Sequence, residues 1–506
     1  MLNIENEVYR WGIEFSKFSP RIPGTINIDN ARDFIVNKLK SFGLKTWLEP
    51  INFRGVFYHD WELLIKSPEI RKIKSTPQNN VGLGSVDAEI IDIGKGEIKD
   101  YKDKDVKNKI VLINWGKLTD HEGPCGLKKR YPLLASYDHA WEHEAAAMIG
   151  YFTDTPGNSL KILEPGINPT GGSNITGPAE IGKERQFMLP VLHIGKKDAG
   201  YLKDLLKKGK VSVHLHIKGK RKVSTVWTVV GLLKGLKEKT IVIGSHYCST
   251  FDGAICDTVG VVGALEVARK FSKIPVKKRP KTMMFLFSGS HVWINCNISS
   301  LCFIEKHKKF MSNIVAMLWM DHISAPIFVE KEKVSRWNFP LRLGLTSDNL
   351  ILYVLTYYSM FKNRRLPLVL PINRIWTLCE MGPFDNIGVP CMCMQVASDL
   401  MLTTEDTWDK IDAPQLYKDV SVYIDLARAI QLIPGRILKL FEFPGRSFYG
   451  CGALFKDTSQ PTYDKMQCYE PEKAPPLLIG GYKKALKYKT DISNVINNKK
   501  SDNYDH

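Results

Sequence analysis

Residues Gly244–Arg269, GSHYCSTFDGAICDTVGVVGALEVAR, decide how the chain is read. Just upstream, Lys239–Gly244 (KTIVIG) is a short apolar run of strand type. Downstream, Asp257 or Thr258 is positioned to cap a helix that continues to about Phe271. His246 then falls at the carboxyl end of a strand, where open α/β sheets bind their ligands. Further strands are expected at TVWTVVGLLKG (225–235), KTMMFLF (281–287) and IVAMLWM (314–320). The last two are apolar throughout, as strands covered on both faces are. Strands alternating with helices predict an α/β fold: a mixed, largely parallel sheet with helices on both faces.

The 506 residues suffice for two or three domains with sizeable cores. No apolar run reaches the ~18–20 residues that span a bilayer. The start, MLNIENEVYRWG, lacks the basic-then-apolar pattern of a secretory signal, so a cytoplasmic location is expected. The formal charge of +18 admits an anionic partner, nucleic acid or an acidic membrane surface. The lysines are scattered, however (Lys207-Lys208, Lys218–Lys222, Lys277–Lys281, Lys306–Lys309, Lys499-Lys500), which fits a solvated surface equally well. Ten cysteines without a paired CxxC pattern read as free thiols rather than a disulfide scaffold.

In chain order, residues 1–60 offer two helices, Glu5–Phe18 and Ile28–Phe42, the second stopped by Gly43. Residues 61–225 change character, with alternating β-branched and polar residues, a helix at Tyr137–Ile149 and strand-like VSVHLHIKG. His139 and His143 are four apart on that helix, a spacing that allows a metal pair or a plain packed face. A helical stretch is expected at about Leu343–Phe361 and a closing helix at Ala413–Gln431. Residues 437–506, rich in aromatics, prolines and lysines without a period, read as a wrapping arm or a loose tail.

His246, Gly253-Ala254, Gly260 and the helix after them resemble the first metal motif of metallopeptidase family 28, and TTEDTWDKID (403–412) resembles its last. That family comprises zinc aminopeptidases, glutamate carboxypeptidases and the non-catalytic transferrin receptor. The resemblance spans about Arg21 to Gln431. It implies a zinc-aminopeptidase-like domain from residues 1–60 and 226–436, with 61–225 as a β-rich protease-associated insert and 437–506 as an extension.

The resemblance also implies a two-zinc site, and here the chain departs from the pattern. His246 holds the first ligand position. Cys256 stands where the family has its bridging aspartate. Phe285–His291, FLFSGSH, replaces the usual glutamate pair, putting Ser290 at the general-base position and His291 at a ligand position. Asp321 matches a ligand aspartate, while Leu402 takes the place of the final ligand histidine. Thiolate and imidazole are both good zinc donors, so His246, Cys256, Asp321 and His291 remain candidates for at most one zinc ion. A bulged loop would instead bring Asp257 to the place of Cys256; His322 reads as a supporting or surface residue.

A serine is no unaided base at neutral pH, and leucine binds no metal. The implied reading is therefore an aminopeptidase-fold homologue that no longer hydrolyses and binds a protein or peptide. The alternatives are a metal-dependent aminopeptidase or amidohydrolase with one rebuilt zinc site (His246, Cys256, Asp321), and a basic-surface module for nucleic acid or anionic membrane; separately, His291 could stand in for Ser290 as base.

Overall fold

The computed structural model describes residues 2–79, 81–116, 131–162, 189–294, 297–325, 341–371, 380–396 and 398–440. Helices α1 (Leu2–Ser16) and α2 (Ile26–Ser41) open the chain. Strands β1 (Lys45–Ser67), β2 (Arg71–Ile73), β3 (Ser75–Pro77), β4 (Gly84–Gly94) and β5 (Ile110–Asn114) follow. Then come α3 (Tyr131–Glu142), β6 (Ala147–Tyr151), β7 (Val191–Ile194), α4 (Lys196–Lys208) and β8 (Ser212–Leu233). The second half runs β9 (Lys237–His246), α5 (Val259–Ser272), β10 (Lys281–Ser288), α6 (Ile298–Lys306) and β11 (Ile314–Met320). It continues through β12 (Leu341–Thr346), α7 (Leu350–Lys362), β13 (Leu366–Pro371), α8 (Met381–Asn386) and β14 (Cys391–Gln395) to α9 (Ala413–Leu432) and α10 (Gly435–Leu440).

The strands join in the order β13-β12-β14-β11-β9-β10-β8-β4-β5-β6-β7-β3, with β1 paired to β8 and β2 to β1. Around β9 the pairing is parallel on both sides, to β10 and β11, and β11 continues parallel to β14. β10 and β11 are buried along their whole lengths, which explains their unbroken apolar sequences. One face of this sheet is closed by a cluster including Phe15, Ile35, Leu265, Val420 and Leu426, the other by one including Phe303, Phe310 and Phe384. A separate apolar cluster, drawn from Leu63 to Ile217, builds a second body with parallel pairings β4-β5, β5-β6 and β6-β7 and with α3 and α4.

The two bodies share strands. β1 and β8 pair antiparallel from Lys45↔Leu232 to Ser67↔Ser212, so the sequence-derived divisions at 60/61 and 225/226 fall inside continuous strands. The two strands expected at VSVHLHIKG and TVWTVVGLLKG are thus one. Its exposed middle, KGKRKVS, lies on a ribbon that no layer covers, which removes the alternation that marks a strand. Two other expectations shift. The helix at 137–149 is α3 ending at Glu142 followed by strand β6, and the stretch at 343–361 begins as strand β12 before α7. Among the described residues, no helix is long and apolar enough to cross a membrane. Most of the C-terminal extension, 441–506, lies outside the described residues.

Candidate metal centre

β9 ends at His246, β10 ends two residues before Ser290, and β11 ends one residue before Asp321, so parallel pairing gathers these residues at one sheet edge. The loop from Tyr247 to Asp257 completes the site, and it is held from outside. Arg21 is fully buried, and its guanidinium donates to the carbonyls of Tyr247 (2.8 Å), Asp252 (2.9 Å) and Gly253 (3.1 Å). Burial lowers its pKa to about 10, against the pull of Asp252. Asp406 accepts from the N–H groups of Ile255 (2.7 Å) and Cys256 (3.3 Å). Burial raises its carboxyl to about 7 in spite of these two donors.

Two glycines let the loop pass. Gly253 has φ +65°, and a Cβ there would lie 2.5 Å from the Cys256 carbonyl oxygen. A Cβ on Gly260 would meet an Asp257 carboxylate oxygen at 2.3 Å and the Met320 carbonyl at 2.6 Å. Asp257 is the residue that caps α5: its carboxylate accepts from the Gly260 N–H (3.2 Å), and also from Ser245 Oγ (2.7 Å) and the His322 N–H (3.2 Å). Thr258 turns back instead, donating to the Gly253 carbonyl.

Within this frame the donors converge. His246 Nδ1 lies 3.2 Å from the Cys248 carbonyl, a partner that fixes Nδ1 as the protonated nitrogen and leaves Nε2 as a lone pair. Burial and the neighbouring His291 both push His246 toward its neutral form. Its Nε2 faces Cys256 Sγ at 3.7 Å and Asp321 Oδ1 at 3.6 Å. His322 Nε2 approaches Asp321 Oδ1 to 3.1 Å, yet neither atom has a partner aligned as a hydrogen bond. Donor atoms of His246, Cys256 and His322 lie within 4.8 Å of one another, as do those of His246, Asp257 and Asp321. Although burial opposes it, the imidazoles of His322, His246 and His291 hold the Asp321 carboxyl below its usual range. Burial and Asp321 push Asp257 the other way, well above it.

Asp321 Oδ1 and His322 Nε2, buried and close without an aligned hydrogen bond, are an arrangement a cation resolves. Bond lengths of 2.0–2.3 Å to nitrogen, oxygen and sulfur put tetrahedral donor–donor edges at about 3.3–3.6 Å. The His246 Nε2 separations from Cys256 Sγ (3.7 Å) and Asp321 Oδ1 (3.6 Å) lie close to such an edge. Leu402 and Ser290 make other contacts. Leu402 is buried, and its carbonyl accepts from the Ile162 N–H (3.2 Å), stitching the second body to the first beside the isolated bridge Lys161↔Thr403. Ser290 Oγ lies 2.8 Å from Ser299 Oγ and 3.3 Å from Ser288 Oγ, in a knot of hydroxyls.

His291 stacks on His246, ring centroids 4.1 Å apart, and turns Nδ1 to Glu380 Oε2 at 3.0 Å. Sequence reasoning missed Glu380 and assigned His322 a supporting or surface role. Glu380 lies far from His291 in the chain and belongs to no motif; His322 follows Asp321 directly, and its φ of +54° is not legible from composition. Among the described residues, His139 and His143 fall in no group of three metal-ligating side chains; one Nδ1 meets the Gly96 carbonyl (2.9 Å), the other the His139 carbonyl (2.7 Å).

This arrangement of strands has solved counterparts. The chain has the zinc-aminopeptidase fold. A zinc aminopeptidase from Bacillus subtilis superposes with a TM-score of 0.64 over 87% of this chain and 98% of its own, at 18% identity. An aminopeptidase from Aneurinibacillus sp. strain AM-1 gives 0.57 over 87% and 96%, at 21% identity. A peptidase M28 precursor from Shewanella amazonensis SB2B gives 0.63 over 84% and 97%, at 16% identity. No family model matches the sequence, and neither does any curated protein.

Proposed function

We propose that this chain is a non-hydrolytic binding protein built on the zinc-aminopeptidase fold, with a single zinc ion as a fixed part of its structure. His246, Cys256, Asp321 and His322 would hold the ion. The observation that carries this reading is the gathering of His246, Cys256 and His322 donor atoms within 4.8 Å of one another, with Asp321 Oδ1 3.1 Å from His322 Nε2 as a fourth donor beside them where catalytic zinc keeps a position open. One thiolate and one carboxylate would balance the 2+ charge in this buried site. When bound, such an ion cross-links strand ends and loop rather than activating water. The family's hydrolysis would need a carboxylate in place of Ser290 and a metal ligand in place of Leu402, and the sequence has neither at those two positions. Binding of a protein or peptide by the retained scaffold accounts for a fold kept without its chemistry.

Metal analysis of the purified chain is expected to find a single zinc that disappears in Cys256→Ser. Aminoacyl-p-nitroanilide should not turn over, with zinc or cobalt added or without. One observation favours a second reading: the His291–Glu380 pair resembles an oriented base. Turnover that depends on added metal and vanishes in His291→Ala would install that reading, a single-zinc hydrolase, in place of the first.

A further inference from the structure

Strand β8 carries the triplet His214-Leu215-His216, which the centre at the sheet edge does not use. Residues two apart on a strand share a face. Leu215 and its neighbours Val213 and Ile217 are buried, so both histidines stand on the side of the sheet turned away from the core. Their backbone is paired along both edges: His214 with Leu64 of β1 and Asp87 of β4, His216 with Glu62 and Ser85. The two side chains are 25% and 12% exposed, open to solvent yet set in a fixed ladder.

The rings form the middle of a four-membered chain. His214 Nδ1 lies 3.1 Å from Asp87 Oδ2, and His216 Nε2 lies 3.1 Å from Asp60 Oδ2. An ionised carboxylate only accepts, so each of these outer nitrogens carries a hydrogen. The inner nitrogens, His214 Nε2 and His216 Nδ1, are 3.1 Å apart. In two neutral rings both would be lone pairs, and the contact becomes favourable only with a cation between them, a shared proton or a metal. Imidazoles oriented by a carboxylate and presenting the other nitrogen are how metal-binding histidines are held. The spacing suits a chelate. Nitrogens about 2.0–2.1 Å from one ion lie about 2.9 Å apart at a square corner and about 3.3 Å apart on a tetrahedral edge. We infer that His214 and His216 chelate a divalent transition cation on the outer face of β8.

Imidazole nitrogens select ions such as zinc, copper and nickel over magnesium and calcium, which take oxygen. The neighbouring carboxylates are already engaged by lysines. Lys66 Nζ is 2.9 Å from Asp87 Oδ1, Lys218 Nζ 2.9 Å from Asp60 Oδ2, and Lys72 Nζ 2.9 Å from Glu62 Oε1. The imidazoles are thus the donors, with water completing the coordination from the open side. An ion held by two side chains exchanges with solution, so it adds nothing to the tightly held zinc expected at the sheet edge. The two centres share no residue, and this one stands whether or not the other binds zinc.

Copper(II) is the probe, because it binds such sites most tightly of these ions and electron paramagnetic resonance counts its nitrogen ligands. The full-length Cys256→Ser chain, which lacks the thiolate of the other centre, is titrated with copper alone. Half-saturation should fall in the micromolar range, with two equatorial imidazole nitrogens in the spectrum. His214→Gln or His216→Gln should leave one nitrogen and weaken binding about tenfold or more, since the second arm of a chelate acts at high effective concentration. Asp60→Asn with Asp87→Asn should weaken binding about tenfold while keeping both nitrogens. A two-nitrogen signal that survives the histidine changes overturns the inference. So does half-saturation only at millimolar copper, in which case the cation between the rings is a proton.

Discussion

Two sets of side chains surround the loop from Tyr247 to Asp257, and they differ in what they answer to. The outer set, Arg21 and Asp406, bonds backbone: three carbonyls for one, two N–H groups for the other. The inner set, His246, Cys256, Asp321 and His322, presents donor atoms to one another in two overlapping groups that share His246. The segment TTEDTWDKID matches the family pattern because its aspartate shapes the loop, a task that survives whatever the inner set becomes. The inner positions depart from the pattern; on the proposed reading, their identity matters only to the ion they would hold. Recognisable letters thus report the frame rather than the reaction.

The sharpest way to break this contrast is to strip the metal. Arg21→Met leaves three buried carbonyls without their donor, and should cost roughly 3–5 kcal/mol in denaturant unfolding. That loss should be the same before and after chelation, whereas Cys256→Ser should destabilise the metal-loaded chain and scarcely alter the stripped one. If chelation abolishes the Arg21 effect as well, frame and donors are not separate.

A smaller effect concerns Asp406. Its carboxyl rises from 3.8 to about 7 on burial, so the folded state favours the protonated form. The sign follows from linkage: stability is greatest below about pH 4 and declines as pH rises toward 7, by up to about 4 kcal/mol. Asp406→Asn does not titrate there. The stability of the unaltered chain relative to this variant should therefore fall between pH 4 and 7 and level off above. A difference that is flat with pH would show that the two backbone donors, not burial, govern the group.

The smallest effect is expected at Ser290. Ser290→Ala removes one hydroxyl from a knot in which Ser288 still bonds Ser299 at 2.9 Å. It should cost about 1 kcal/mol or less and leave zinc content unchanged. A marked loss of zinc would place Ser290 in the inner set.

Much of the frame was legible in the sequence. β9, β10, β11 and α5 lie where apolar runs and capping residues put them, because buried parallel strands write themselves as unbroken hydrophobic sequence. The donor set was legible in part. His246, Cys256 and Asp321 lie at motif positions and His322 does not; beside them, Glu380 reaches His291 across 89 residues, a contact that tertiary packing alone creates. The length of β8 was hidden by lysines on an uncovered ribbon, and the apolar sequence of α7 gave no sign that one side faces outward.

The pairing of β1 with β8 has a topological corollary. Asn52 and Thr225 are cross-strand partners, and the Thr225 hydroxyl donates to the Asn52 side chain at 2.6 Å. Everything between them is an excursion from a single hairpin. Joined at that rung by a short turn of the type that closes hairpins, the chain would skip the entire second body while the remaining rungs of the zinc-aminopeptidase-like sheet kept their register.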